Sequence, residues 1–260
     1  MIDPGSYRRV LLTGAKGLVG CAVAPILARD YALKLTDVRP LDGGGIPFEP
    51  ADIREPAAVR RVLDGVDAVV HLAIAPYTGY KDANNDPAYH RACLDINIGG
   101  TYTLFTEACA AGVRKFVYIS SLTALMGHEG ATRLGDEMLV NPLNVYGCTK
   151  VFGENLAQVY ARQFGANFTC LRLGEPFPNP AVPREQYIER YGKGAFPAHF
   201  VTMEDIAQGI DCSLRRDAES FSAFSLVSDN QSDYIDPSGY DRLGYKPGPV
   251  PLIAEWIGRE

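Results

Sequence analysis

The chain belongs to the α/β class, and the sequence predicts a doubly wound parallel sheet from three observations. Short, almost wholly apolar runs recur at residues 10–12, 33–37, 67–73 and 115–121, as expected of strands covered on both faces. Stretches with helical spacing of apolar residues separate them, the alternation that pairs parallel strands with crossover helices. The first run passes directly into Gly14, Gly17 and Gly20, spaced G-x-x-G-x-x-G, and then into a helix. That order of strand, glycine turn and helix is the context a dinucleotide-phosphate site requires.

Each glycine of the turn has its own task. Gly14 permits the tight turn, Gly17 removes a Cβ where backbone must approach a pyrophosphate, and Gly20 lets the helix lie close on the strand. The helix, with Leu18, Val19, Ala22, Val23, Ile26 and Leu27 as its apolar residues, offers free N–H groups and the positive end of its dipole to phosphate. The second strand ends in Asp37, about 20 positions beyond the turn, where a carboxylate can accept bonds from both hydroxyls of an adenosine ribose and repel a 2′-phosphate. Asp37 therefore predicts NAD over NADP, and Arg39, which could cradle a 2′-phosphate, argues the other way.

Residues 41–50 are rich in Gly and Pro and form a loop. A helix from Pro56 to about Leu63, with Pro in its first turn, leads to the third strand at residues 67–73. Residues 75–88 are polar and read as a loop at the carboxyl edge of the sheet, where the ligand crevice of this architecture lies. A long helix is expected over residues 88–111, with Leu94, Ile98, Leu104, Phe105, Ala108 and Cys109 on its covered side. Asn97 interrupts that face, either as a satisfied buried amide or as a side chain bonded to a neighbouring catalytic helix or a water. The fourth strand ends in Ser120 and Ser121, whose hydroxyls lie at the crevice end. A helix then runs from about residue 144 to Phe164, and Tyr146 and Lys150, four residues apart, project from one of its faces.

Those residues suit hydroxyl oxidation. A free phenol, with a pKa near 10, is only about 0.1% ionised at neutral pH. Lowering that pKa by about three units needs roughly 4 kcal/mol, attainable from Lys150 and a positive nicotinamide ring together. Tyr146 would then take a hydroxyl proton as hydride leaves the same carbon for NAD. Ser121 would orient the hydroxyl, and Lys150 would also hold the nicotinamide ribose.

Length and composition narrow the class. The 260 residues suffice for one large α/β domain with a small appendage, and 47% apolar with 22% charged residues is ordinary for a globular protein. A net charge of -6 argues against nucleic acid or an anionic membrane as the main partner. The six cysteines show no metal-ligand spacing and read as small buried hydrophobes in a reducing cytosol. No metal site is expected. With neither a long apolar run nor a signal-peptide pattern, the expectation is a soluble cytoplasmic protein.

Taken in order over about residues 8–174, the motifs resemble those of the short-chain dehydrogenase/reductase superfamily, in its extended NAD-dependent epimerase/dehydratase branch. They are Thr13-Gly14-Ala15-x-Gly17-x-x-Gly20, Asp37, Asp52-Ile53, His71-Leu72-Ala73, Asn97 with Gly100-Thr101, Ser120-Ser121 and Tyr146-x-x-x-Lys150. The resemblance implies a Rossmann-type NAD-binding domain over residues 1–174 that carries the catalytic residues Ser121, Tyr146 and Lys150. It implies a small substrate-binding subdomain over residues 175–260, integral with the first, with a strand near residues 221–227 returning to the sheet. Cofactor contacts implied are Gly14, Ala15, Gly17, Leu18, Val19 and Asp37, Asp52 and Ile53 at the adenine, Leu72 and Ala73 beside the dinucleotide, Asn97, Tyr146 and Lys150, and Pro176 near the nicotinamide amide. Ser120 is the alternative to Ser121, because the family's Tyr-Gly after the serines is here Met126-Gly127, at a slightly longer spacing.

Ser121-Leu122-Thr123 stands where nucleotide-sugar dehydratases carry Thr-Asp-Glu, which disfavours that reaction. The run from Tyr146 to Glu154 and residues 171–180 are similar to uronate dehydrogenases, which oxidise the anomeric hydroxyl of a hexuronic acid to an aldarolactone with NAD. Under that similarity Arg184 is the candidate to grip a substrate carboxylate bidentately, and otherwise it is a solvent-exposed arginine. A sugar epimerase or reductase of the same family is a second reading. A non-catalytic NAD(P)-sensing protein is a third, which the intact Ser, Tyr and Lys set argues against. The superfamily's frequent pairing through the helices at residues 88–111 and 146–164 implies a homodimer.

Overall fold

A computed structural model describes residues 9–77, 85–128, 133–179, 185, 186, 189, 198–229 and 233–250, and the structural statements here concern those residues. Six parallel strands form the sheet: β1 (Arg9–Thr13), β2 (Ala32–Thr36), β3 (Ala68–His71), β4 (Lys115–Ser121), β5 (Asn167–Leu173) and, after two short strands outside it, β8 (Phe221–Leu226). Their order is β2-β1-β3-β4-β5-β8, so the chain reverses its direction of winding between β1 and β3. In such sheets a crevice opens at that switch point, outside the carboxyl ends of the strands.

Alternation along each strand sends side chains into two cores. Leu12, Leu33, Leu35 and Val70 meet α1 (Leu18–Leu27) and α6 (Met203–Arg215) on one face. Leu11, Val69, Phe116, Tyr118 and Phe168 meet α2 (Pro56–Val62), the long helix and α5 (Val145–Phe164) on the other. All four residues of β3 are buried, which is why a nearly all-apolar run there signals a central strand and not an edge. The remaining strands β6 (Glu175–Phe177) and β7 (Phe200–Thr202) pair in parallel beyond β5, and a short helix α7 (Ser238–Leu243) packs near β8. No helix among the described residues is long and apolar enough to cross a membrane.

The long helix departs from expectation in its phase. It starts as α3 (Pro87–Ala92), capped by Asp86, widens into a π-helical stretch over Cys93–Gly100, and resumes as α4 (Thr101–Ala110). Through this stretch the buried positions are Cys93, Asn97, Gly100 and Thr101. Leu94, expected on the covered side, is exposed, and Ile98 is only partly buried. The cysteines also divide. Cys93, Cys109 and Cys170 are buried, but Cys21 and Cys148 are exposed, so the expectation of buried thiols fails for those two.

α5 lies so close on β4 that a Cβ at Gly153 would stand 2.3 Å from Tyr118 Cζ. Tyr118 is itself fully buried and cannot swing aside. Gly153→Ala should therefore destabilise the fold by about 1–3 kcal/mol through overpacking. A lowered midpoint in urea denaturation is the expected result, and an unchanged midpoint would show that the helix has room to move.

Candidate active site

The glycine turn occupies the switch point. Gly14 has a left-handed φ of 69°, and a Cβ on it would lie 2.6 Å from the backbone nitrogen of Ala73, so the turn is pressed against the exit of β3. Gly17 N–H bonds to Gly14 O at 2.9 Å, and α1 opens after Gly17 with no capping side chain and no acid in its first turn. Its orphan N–H groups and dipole are thus left to an anion. Gly20 approaches the turn and not the strand, since its Cβ would meet Gly14 O at 2.4 Å. Ala15 is buried and its N–H bonds to Thr36 O at 3.1 Å, so it joins the turn to β2. Leu18 is exposed and Val19 partly exposed at the helix start.

Asp37 sits at the tip of β2 with its carboxylate nearly covered. It accepts from the Lys16 N–H at 3.0 Å and the Arg39 N–H at 3.0 Å, and the Arg39 guanidinium pairs with it at 3.3 Å while also donating to Lys16 O at 3.0 Å. The two residues that argued for different cofactors are therefore bound to each other. Asp52 is held by Arg54, whose guanidinium keeps the carboxyl below its ordinary range, and Ile53 fills the space left by the missing side chain of Gly100.

A buried hydrogen-bonded chain links the strands beneath the turn. Thr13 Oγ1 meets His71 Nδ1 at 2.8 Å, and His71 Nε2 meets Thr101 Oγ1 at 2.9 Å. Burial, helped by the charge of Lys150, pushes His71 down to about 3, so the ring stays neutral with one nitrogen donating and the other accepting. Leu72 is buried and the Ala73 N–H reaches Thr13 Oγ1 at 3.4 Å.

At the end of β4 the two serines point to opposite sides, as successive strand residues must. Ser120 is buried and donates to Glu154 Oε1 at 2.6 Å. Ser121 is partly exposed, accepts the Thr123 N–H at 3.2 Å, and keeps its own O–H for a further partner. Of the two, only Ser121 has a hydroxyl to offer the crevice.

α5 carries Tyr146 and Lys150 on its inner face. Asn144 caps the helix by accepting the Gly147 N–H at 2.9 Å. Lys150 is 2% exposed, donates to Ile119 O at 2.7 Å, and lies 5.1 Å from the Tyr118 ring centre and 5.6 Å from that of Tyr146. Asn97 is a satisfied buried amide that also reaches α5. Its Oδ1 accepts the Ala75 N–H at 2.7 Å and its Nδ2 donates to Thr149 Oγ1 at 3.0 Å, which in turn donates to Tyr146 O at 2.7 Å. Asn97 thereby ties the exit of β3 to the first turn of α5. Tyr146 also packs against Ala75, Tyr89 and Cys93.

The direction of the Tyr146 shift is the reverse of that expected from its neighbour. Burial pushes the phenol up, the Cys93 thiol adds to the effect, and burial pushes Lys150 down to about 7. In the free protein desolvation of the phenolate sets the direction. Pro176 lies in β6, partly exposed. Arg184 lies outside the described residues, as do most of residues 187–197 and residues 78–84. Sequence reasoning missed the roles of Glu154 and Arg172, joined at 2.8 Å in the core. The signal was present in spacing, for Tyr146, Lys150 and Glu154 recur every fourth residue on one helix face.

The profile of the NAD dependent epimerase/dehydratase family matches residues 10–222. The chain belongs to that family. Among its relatives is a uronate dehydrogenase of Agrobacterium fabrum, 32% identical over 92% of this chain and 84% of the relative. An NAD-dependent glucose-6-phosphate dehydrogenase of Haloferax volcanii is 29% identical over 92% of each. A crystal structure of a mutant uronate dehydrogenase from Agrobacterium tumefaciens complexed with NAD superposes with a TM-score of 0.75 at 28% identity, covering 97% of this chain and 88% of that one. For a member of the NAD-dependent epimerase/dehydratase family, the uncapped α1 terminus, the Cβ-free turn and the carboxylate at the tip of β2 form a donor and acceptor set that fits a dinucleotide.

Gly14→Ala should raise the dissociation constant for NAD by about tenfold or more, because a Cβ there meets both a disfavoured φ and rigid backbone. Titration calorimetry with NAD checks this, and an unchanged affinity would separate the turn from the cofactor.

Proposed function

We propose that this chain is an NAD-dependent dehydrogenase of a free sugar or sugar acid, akin to the uronate dehydrogenases, with Ser121, Tyr146 and Lys150 as its catalytic residues. The observation that carries the reading is the position of Lys150, bonded to Ile119 O beside the serine-ended strand and lying over the Tyr146 ring. The names of the relatives support a carbohydrate substrate, and a free sugar acid or sugar is the class we assign.

NAD, when bound, supplies the hydride acceptor. Gly14, Gly17, Leu18 and Val19 would hold its pyrophosphate at the α1 terminus, with Ala15 shaping the turn from behind. Asp37 would take the adenosine ribose, with Asp52 and Ile53 near the adenine and Leu72, Ala73, Asn97 and Pro176 along the remainder. Asp37 favours NAD over NADP, because a carboxylate repels a 2′-phosphate. Ser121 holds the substrate hydroxyl by its free O–H. Tyr146 receives the hydroxyl proton, and Lys150 stabilises the phenolate that must exist beforehand. Because burial keeps the resting phenol neutral, the base form depends on positive charge close to it.

Residues 1–174 constitute the cofactor and catalytic portion in this reading, and residues 175–260 the substrate portion, where Arg184 is the residue we assign to a carboxylate. The homodimer implied by resemblance is supported by exposed Leu94, Tyr102 and Val159 on the helices that would pair. A cytoplasmic site is in keeping with six unpaired cysteines.

The test is NADH or NADPH formation from D-glucuronate, L-arabinose, D-glucose 6-phosphate and UDP-glucose with NAD and NADP in parallel. Turnover of a free sugar or sugar acid with NAD is expected. Tyr146→Phe should lower kcat by about 10²–10⁴ and leave NAD affinity nearly intact. Conversion of UDP-glucose alone without net NADH would point to an epimerase, and NADP-only turnover would overturn the role of Asp37.

A further inference from the structure

Behind Tyr146 and Lys150 lies a buried charged cluster that the oxidation chemistry does not consume. Glu154 follows Lys150 by one turn of α5 and is 3% exposed. Ser120 Oγ donates to its Oε1 at 2.6 Å, and Arg172 clamps it through Nε at 3.0 Å and Nη2 at 2.8 Å. The third arm of Arg172, Nη1, donates to Asp136 O at 3.0 Å, and Asp136 Oδ1 accepts the Ser225 N–H at 2.6 Å. Glu154 is thus fixed from β4 and β5, and Arg172 in turn is tied through Asp136 to β8.

A buried ion pair is a poor device for stability, since desolvating two charges costs about as much as their attraction returns. Its place beside Lys150 gives it another use. The groups that face Lys150 come from every element packed around it: Tyr118 on β4, Tyr146 on its own helix, His71 on β3, Cys93 on the long helix, Cys170 on β5 and Glu154. Burial holds His71 neutral and pushes the thiols of Cys93 and Cys170 up, so neither thiol is an anion near neutral pH. Glu154, ion-paired with Arg172, is the carboxylate among these groups.

We propose that Glu154 is a positioning residue for Lys150: its carboxylate, locked by Arg172 and Ser120, is the buried counter-charge that keeps the lysine ammonium in place under the cofactor and beside Tyr146. The proposal deepens the dehydrogenase reading, yet its cofactor-binding half stands on Lys150 alone. Without Glu154, the ammonium meets burial with no anion near it and gives up its proton at lower pH.

The experiment uses the full chain as wild type, Glu154→Gln, Glu154→Asp and the double variant Glu154→Leu with Arg172→Met. NAD affinity is measured by calorimetry between pH 5 and 9, thermal unfolding is followed alongside, and kcat and KM are taken with D-glucuronate. In wild type, NAD affinity should fall as pH rises past the point where Lys150 loses its proton. In Glu154→Gln that midpoint should move down by about one pH unit, with kcat reduced about tenfold and KM nearly unchanged. Glu154→Asp, which keeps the charge, should restore the wild-type midpoint. The double variant replaces the pair with apolar bulk, which buried pairs commonly tolerate, and should unfold near the wild-type temperature with the midpoint still displaced. A wild-type midpoint in the double variant or in Glu154→Gln would overturn the proposal, because the pair would then serve the fold alone. So would NAD affinity in wild type that does not vary with pH. If no sugar is turned over by wild type, the dehydrogenase reading fails while the calorimetric midpoints still decide the role of Glu154.

Discussion

Lys150 lies where only 2% of the residue meets solvent and burial pushes its pKa down to about 7, so its ammonium form depends on what the surrounding elements offer it. A buried cation needs acceptors, aromatic faces or anions, because desolvation favours its neutral form. The Ile119 carbonyl and the ring of Tyr118, both on β4, and the carboxylate of Glu154 on α5 each meet part of that need. The close seat of α5 on β4, made possible by Gly153, brings them within reach. The same seat delivers Tyr146 to the carboxyl edge of the sheet.

The glycine turn and the tyrosine-bearing helix are separated by most of the domain in sequence, and the sheet brings them together. β1 and β3 are neighbours at the switch point, β4 lies next to β3, and Asn97 runs a hydrogen-bonded connection from Ala75 after β3 to Thr149 on α5. The Thr13–His71–Thr101 chain does the same under the turn. Both connections are buried and satisfied, so a shift of one element would leave an orphaned polar group. That cost makes the relative placement of the glycine turn and α5 rigid.

Much of this was legible in the sequence because it rests on local rules. Apolar runs marked β1 to β4, Gly14 marked the turn, and the four-residue spacing placed Tyr146 and Lys150 on one face. What was not legible depends on geometry between elements. Which side of residues 93–101 faces inward depends on how the helix docks on its neighbours, and Leu94 turned outward against expectation. Ser120 and Ser121 are chemically identical, and only the register of β4 against Glu154 separates them. The Tyr146 shift depends on how much water reaches the phenol, a three-dimensional quantity that the spacing to Lys150 does not contain.

That shift also defines what NAD binding has to accomplish: a phenol kept neutral by burial becomes a base only when further positive charge arrives beside it. Ultraviolet titration of tyrosinate, taken as the difference between wild type and Tyr146→Phe with and without saturating NAD, tests this most directly. The account predicts that the Tyr146 signal moves to lower pH when NAD is bound. A signal at the same pH in both states would contradict it.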